Sequence, residues 1–269
     1  MQVFKFGGAS VKDADSIKNL FNIIFNRLQN PSIIVVSAMG KSTNALESIL
    51  ELKLGQKSFS SNYTIFKNYH LSICSELFPE NDLIFDTLEK QFNDLQDLLN
   101  QNLNPEDYDE YYDQIICYGE IIATIIIQAY LSLMTIKCVW QDAREIIATN
   151  SDYRFAKIDW VKTRKSCQEK WKPLLDNFPI LTQGFIGSDS TGKTTTLGRE
   201  GSDFTAAILA TGLDAGSVTI WKDVLGVLNA DPKRLRRALR IWSSASAARA
   251  SMSSRLDNQR RASNNSYPT

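Results

Sequence analysis

The chain has little of what marks a metalloprotein or a nucleic-acid-binding protein. Its 269 residues include one histidine, and its 30 lysines and arginines are matched by 30 aspartates and glutamates. A neutral charge balance gives no electrostatic signature for nucleic acid or an anionic membrane surface, so we expect neither as a partner. The single histidine, His70, lies in a helical stretch, and we expect a structural role for it.

The cysteines indicate neither a metal site nor a redox site, and the apolar runs do not favour a membrane span. The four cysteines (Cys74, Cys117, Cys138 and Cys167) are widely spaced and form no metal or redox pattern. They predict free thiols in a reducing cytosol, and therefore a cytoplasmic protein. The most apolar stretch, residues 115–133, is interrupted by polar side chains, which favours a buried helix over a membrane span. The first residues indicate a strand and a glycine turn rather than a signal peptide.

Strand-like and helix-like segments alternate along the chain. This alternation predicts an α/β protein, a three-layer α/β/α sandwich with a largely parallel central sheet. The strand-like runs are residues 3–6, 33–37, 137–141, 180–184 and 218–221. The helix-like runs are residues 13–28, 43–54, 59–77, 81–99, 106–133 and 204–213. Residues 58–105 form a helical insertion with two open interpretations, a lid over the substrate side or a solvated hairpin with no active role.

A polar segment before the last predicted helix has the composition of a ligand site. Ser202 or Asp203 can cap that helix, whose free N–H groups would attract an anion. Arg199 can hold a carboxylate through two hydrogen bonds, and Asp203 can order an amine, a water or a metal. The alternative is a polar turn with a capped helix and no ligand.

The N-terminal strand, glycine turn and helix form a second candidate site. Gly7 and Gly8 follow the strand directly, in the geometry that presents backbone N–H groups to phosphates. Lys5 lies near the carboxyl end of the strand, where ligands bind in open α/β sheets. An ordinary tight turn uses the same residues.

Residues 187–194 fit the P-loop pattern G-x4-G-K-[ST]. That pattern requires a helix directly after it, whereas three β-branched threonines and two glycines follow here. We therefore predict a β-hairpin with a polar glycine tip.

Several motifs in order resemble those of the aspartate kinases, in the amino acid kinase superfamily. They are the Lys-Phe-Gly-Gly-Ala-Ser opening at residues 5–10, a second motif at 35–44, Tyr-Gly-Glu at 118–120, a substrate loop at 182–187 with 195–199, and nucleotide-binding segments at 221–224 and 229–233. The resemblance covers residues 1–233, which we predict to be the catalytic domain.

The resemblance implies ATP-dependent phosphorylation of the β-carboxylate of L-aspartate, the first step of lysine, threonine and methionine biosynthesis. It gives catalytic roles to Lys5 and Asp203, and it assigns aspartate binding to Thr43, Glu120, Arg199 and Ser202. It assigns ATP binding to Lys5, Gly7, Gly8, Ser10, Asp223, Asp231 and Lys233. Mg²⁺ would be held mostly by phosphate and water, with no metal site built from protein side chains. L-aspartate and Mg-ATP are thus the expected partners, and a homodimer is possible.

The chain also departs from the family pattern. Glu200 lies where the family most often has glycine. Residues 234–269 contain eight arginines, eight serines and no lysine, and no ACT domain is expected. We predict this Arg/Ser/Ala-rich tail to be poorly ordered. One hypothesis is a frameshifted or aberrant segment, and the alternative is a genuine basic tail. Two other functions stay open, a truncated non-catalytic remnant and an amino acid kinase acting on another small carboxylate.

Overall fold

The computed structural model describes residues 1–28 and 31–222, and a five-stranded parallel sheet lies at its centre. The strands of the described chain are β1 (Gln2–Phe6), β2 (Ser32–Val36), β3 (Val139–Trp140), β4 (Ile180–Gln183), β5 (Ile186–Ser188), β6 (Thr194–Thr196) and β7 (Ser217–Trp221). The sheet has the order β3-β4-β2-β1-β7, and every pairing in it is parallel. Strands β5 and β6 form a separate antiparallel hairpin.

Helices cover both faces of the sheet. They are α1 (Ala14–Arg27), α2 (Ser42–Leu54), α3 (Ser60–Leu77), α4 (Ile84–Asn100), α5 (Tyr108–Leu133), α6 (Trp160–Ser166), α7 (Lys172–Leu175) and α8 (Gly201–Gly212). Alternate strand residues enter different cores: Phe4 packs with α1 to α5, whereas Val3 packs with the layer that contains α8. A sheet buried on both faces explains why all of β2 and β4 is buried. The predicted three-layer α/β/α sandwich is confirmed.

The predicted strands and the long helices occur close to their expected bounds, but one helical segment was missed. Helices α6 and α7, joined by a π-helical turn at Cys167–Trp171, have no counterpart among the predicted elements. They are too short to produce a clear helical period, and they are held by the buried Trp171. The P-loop-like residues form the β5–β6 hairpin, as predicted.

The start of α8 differs from the prediction. Its N-cap residue is Glu200, in the left-handed conformation with φ 60°, and no side chain caps the helix. Ser202 and Asp203 lie inside the first turn, so neither is the capping residue. The turn before the helix closes through the Gly201 N–H, which donates to the Gly198 carbonyl, so the helix begins earlier than expected.

The helical insertion is part of the main core. Phe66 on α3 and Phe92 on α4 are fully or almost fully buried against the same apolar cluster as α5. Residues 105–133 satisfy the length and composition of a membrane span, contrary to expectation. However, 72% of the most apolar window is buried inside the protein. This burial agrees with the predicted core helix.

Candidate active site

The site lies at the edge of the sheet where the parallel strands end. A cavity of about 510 Å³ opens there, lined by residues that follow β1, β2 and β4 and by the first turn of α8. Ligands of open α/β sheets bind at this edge because the connecting loops leave a crevice there. No residue of 58–105 lines this cavity, and the burial of α3 and α4 in the main core argues against a solvated hairpin.

A buried ion pair joins β1 to α8. Lys5 lies on the same side of β1 as Val3, and this side faces α8. Its Nζ is 2.7 Å from Asp203 Oδ1, and Lys5 is only 4% exposed. The pair holds an ammonium group in the cavity wall with its counter-charge in place, which suits it to contact an anionic ligand.

Glu120 places a carboxyl group in the same cavity. It lies on α5 and is 3% exposed, and its Oε1 accepts a hydrogen bond of 3.3 Å from the Ala38 N–H. Its other oxygen, Oε2, has no hydrogen-bond partner within the described residues. Burial raises the pKa of Glu120 to about 8, while the N–H of Ala38 and the Lys5 ammonium oppose the shift. A buried carboxyl with a spare oxygen is suited to a cationic group of a ligand.

Close packing fixes the first turn of α8 against the end of β4. A Cβ on Gly184 would lie 2.4 Å from Ser202 Cβ, so only glycine allows this approach. Ser202 and Asp203 are thereby held at the cavity, while Arg199 and Glu200 occupy its exposed rim.

The two glycines after β1 have different surroundings, since Gly8 lines the cavity and Gly7 extends the sheet. Gly8 lines the cavity, and a Cβ on it would lie 2.6 Å from the Ala38 carbonyl oxygen. The N–H of Gly7 donates to the Trp221 carbonyl at 3.0 Å and thus extends the β1–β7 ladder. That N–H is therefore engaged within the sheet in this structure, and its contact with a phosphate stays a prediction.

Of the other residues predicted to bind ATP, Ser10 does not line the cavity, and the three C-terminal ones lie outside the described structure. The Ser10 hydroxyl donates to the Trp221 carbonyl at 3.3 Å, and Ser10 is not among the lining residues. Asp223, Asp231 and Lys233 fall outside the described residues. All predicted aspartate-binding residues do line the cavity, including Thr43 in the first turn of α2.

Three lining residues were missed by the sequence analysis: Glu47, Tyr112 and Arg154. Glu47 is one helical turn after Thr43, and Tyr112 is two turns before Glu120, so helical spacing alone signals both. Arg154 comes from a loop, and no motif points to it.

A buried carboxyl group on α5 anchors this part of the wall. Asp113 Oδ2 accepts hydrogen bonds from the N–H groups of Arg154 at 2.9 Å and Thr196 at 2.8 Å. Its Oδ1 accepts from the Thr196 hydroxyl at 2.6 Å. Burial raises the pKa of Asp113 to about 6, although these hydrogen bonds oppose the shift. Asp113 thus ties the Arg154 loop and strand β6 to α5.

His70 is a core residue of α3. Its Nδ1 pairs with the Phe66 carbonyl at 2.8 Å and its Nε2 with the Ser42 hydroxyl at 3.1 Å. Burial lowers the pKa of His70 to about 4, so the ring is neutral near pH 7. The expected structural role is confirmed.

Comparison with known proteins identifies the family. Residues 1–260 match the amino acid kinase family. The chain belongs to the amino acid kinase family. The matched range extends past Lys233, into the segment that the sequence analysis set apart.

Several similar relatives within this family are aspartokinases. The chain is 32% identical to the lysine-sensitive aspartokinase 3 of Escherichia coli over 251 residues, 93% of this chain and 55% of the relative. It is 34% identical to the aspartokinase of Chlamydia trachomatis over 235 residues, 87% and 51% of the two chains. The crystal structure of E. coli aspartokinase III with aspartate and ADP matches with a TM-score of 0.80 at 31% identity, covering 90% of this chain and 53% of that one. The chain therefore spans about half the length of these relatives, and the resemblance to aspartate kinases seen in the motifs is confirmed.

Proposed function

We propose that this family member transfers the γ-phosphoryl group of Mg-ATP to the β-carboxylate of L-aspartate, an entry reaction of amino-acid biosynthesis. The observation that carries the proposal is the buried carboxyl of Glu120, with one oxygen unpartnered in the described structure, in a cavity that also holds Lys5 and Arg199. This set offers one partner for each charged group of an acidic amino acid. The aspartate and ADP bound in the similar E. coli enzyme support the same assignment.

The substrate's three charged groups define the proposed roles. Arg199 binds the α-carboxylate, and Glu120 in its ionised form takes the α-ammonium. Thr43 and Ser202 donate hydrogen bonds to the substrate. The β-carboxylate then faces Lys5, at the end of the cavity formed by β1 and Gly8.

The reaction needs positioning and charge neutralisation rather than a general base. A carboxylate is already ionised at neutral pH, so its oxygen can attack the γ-phosphorus directly. A new P–O bond forms, the bond between the γ-phosphorus and the bridging oxygen breaks, and ADP leaves with that electron pair. Lys5 stabilises the charge on the transferring group, and Asp203 holds its ammonium in place.

Acyl phosphate formation tests the proposal. The complete chain is incubated with Mg-ATP and L-aspartate, and the acyl phosphate is trapped with hydroxylamine. We expect turnover with L-aspartate and none with L-glutamate or N-acetylglutamate. A folded chain that binds Mg-ATP without turning over L-aspartate would overturn the proposal in favour of a non-catalytic remnant, and turnover of another acid would indicate a different amino acid kinase.

The Lys5→Met variant tests the role of the ammonium. It keeps the apolar stem and should lower kcat by about 100-fold or more, as does loss of a preorganised charge at a reacting centre. Lys18→Met is the matched control, because Lys18 is exposed on α1 and pairs with Asp15 at 3.5 Å. Equal kcat values for the Lys5 variant and wild type would refute the assigned role.

A further inference from the structure

Arg154 is a cavity residue that the proposed chemistry leaves without a role. Its guanidinium lies over the rings of Tyr112 at 4.5 Å and Tyr108 at 5.5 Å. Its Nη1 pairs with Asp109 Oδ1 at 3.2 Å. These contacts hold the guanidinium plane against α5, in the cavity wall.

The second terminal nitrogen of Arg154 is only loosely engaged. Glu47 Oε1 lies 4.0 Å from Nη2, beyond hydrogen-bond distance. Within the described residues no acceptor forms a hydrogen bond with Nη2. The two N–H donors of this nitrogen are therefore available to an anionic group in the cavity.

The backbone of Arg154 is held in a fixed conformation. Its φ of 66° is left-handed, which is uncommon for a residue with a side chain, and the buried Asp113 accepts its N–H. The same loop packs on the turn that carries Arg199. The Ala156 N–H donates to the Thr196 carbonyl at 3.0 Å, and the Arg154 carbonyl oxygen is 3.3 Å from where a Cβ on Gly198 would lie. Two guanidinium groups thus enter the cavity from adjoining backbone segments.

We infer that Arg154 is a second binding residue for the α-carboxylate of the substrate and that it acts together with Arg199. This inference rests on the proposed function, because it assumes that an acidic amino acid occupies the cavity. On binding, Nη2 donates to the carboxylate in place of its loose contact with Glu47. Arg154 therefore favours substrates with a free α-carboxylate.

A substrate without that negative charge separates binding from a structural role. L-isoasparagine keeps the ammonium and the β-carboxylate of aspartate but carries a neutral amide at the α position. In the Arg154→Gln variant, we expect the Kd and KM for L-aspartate to rise by about 5- to 30-fold, the effect of a charge-assisted hydrogen bond at a partly exposed site. The Kd for L-isoasparagine should change less than about twofold, and kcat for L-aspartate should stay near the wild-type value.

Three further variants sharpen the test. Arg154→Lys keeps the charge and should restore part of the L-aspartate affinity. Glu47→Gln removes the negative charge that competes for the Arg154 guanidinium and should tighten L-aspartate binding. Arg164→Gln is the matched control and should change neither ligand, because Arg164 is exposed, pairs with Asp214 at 3.3 Å and does not line the cavity.

Calorimetric Kd values and hydroxamate kinetics together decide the outcome. Equal losses for L-aspartate and L-isoasparagine in Arg154→Gln would show a structural role and overturn the inference, as would no loss for either ligand. If wild type binds L-aspartate and only this selectivity is missing, the proposed function stands. If wild type does not bind L-aspartate, the proposed function fails and this inference fails with it.

Discussion

Replacing Glu120 by glutamine tests how the protein maintains a buried carboxyl group in its cavity. Burial raises the pKa of this group from 4.5 to about 8, so keeping it ionised in the folded protein costs about 5 kcal/mol relative to the unfolded chain. The folded pKa lies above the unfolded value. The penalty is therefore absent below pH 4.5, grows as the pH rises, and is complete above about pH 8.

Glutamine has the same shape and keeps an acceptor for the Ala38 N–H, but it never carries charge. The stability of Glu120→Gln relative to wild type should therefore increase by about 1.4 kcal/mol per pH unit, or about 3 kcal/mol between pH 4.5 and pH 7. Urea unfolding at pH 5, 6, 7 and 8 measures this difference. Glu76→Gln, an exposed position on α3, is the control for simple loss of a carboxylate.

The affinity of wild type for L-aspartate should increase with pH, whereas its stability relative to Glu120→Gln decreases. If the α-ammonium of L-aspartate binds ionised Glu120 as proposed, wild-type affinity should rise about tenfold per pH unit from pH 6 and level off near pH 8. Binding at pH 7 should release about 0.9 proton, visible as a buffer-dependent calorimetric enthalpy. Glu120→Gln should bind L-aspartate weakly, without pH dependence and without proton release. A stability difference that is constant from pH 5 to 8, or a wild-type Kd unaffected by pH, would refute this reasoning.

The other predictions concern the two sides of the cavity. Glu200→Gly replaces a left-handed residue with φ 60° by the residue that favours this conformation, so urea unfolding should show a gain of up to about 1 kcal/mol, and less anionic repulsion should lower the KM for L-aspartate. A loss of stability would contradict the strain argument. Asp113→Ala leaves two buried N–H groups without acceptors and should cost about 2 to 4 kcal/mol, measured in the same way. Asp113→Asn can still accept both N–H groups and should be at least as stable as wild type above pH 6, where the native carboxyl is ionised; equal losses in both variants would exclude this account.

Much of the fold follows from short strand-like runs and from helical patterns that the sequence displays directly. The alternation of Val3, Phe4 and Lys5 on a strand buried on both faces also determines that Lys5 faces the α8 layer. Helices α6 and α7 escaped prediction because seven- and four-residue helices give no measurable period. The hydrogen bond from the Gly7 N–H to the Trp221 carbonyl could not be predicted, because it is set by a pairing between strands that are distant in the sequence.

The candidate site was predictable where it depends on local chain geometry. Thr43, Ser202 and Asp203 follow strand ends or turns, so short motifs locate them. Arg154 has no such signal: its position depends on the buried carboxyl of Asp113, more than 40 residues earlier on another element. The position of such a residue can be predicted only once the tertiary packing of the helix that supplies the acceptor is known.

The charges around the cavity would suit the zwitterionic acid that we propose as the substrate. The charged lining residues are three cations and four acids: Lys5, Arg154 and Arg199, with Glu47, Glu120, Glu200 and Asp203. Burial keeps Glu120 largely protonated near pH 7 when no ligand is present, so the empty cavity is close to electrically balanced. In the proposed complex, an incoming ammonium would stabilise the ionised form of Glu120, and the guanidinium groups would then face the carboxylate on the same substrate carbon. Glu120 would therefore become negatively charged only when the substrate amine binds. The empty protein thus avoids an uncompensated buried carboxylate.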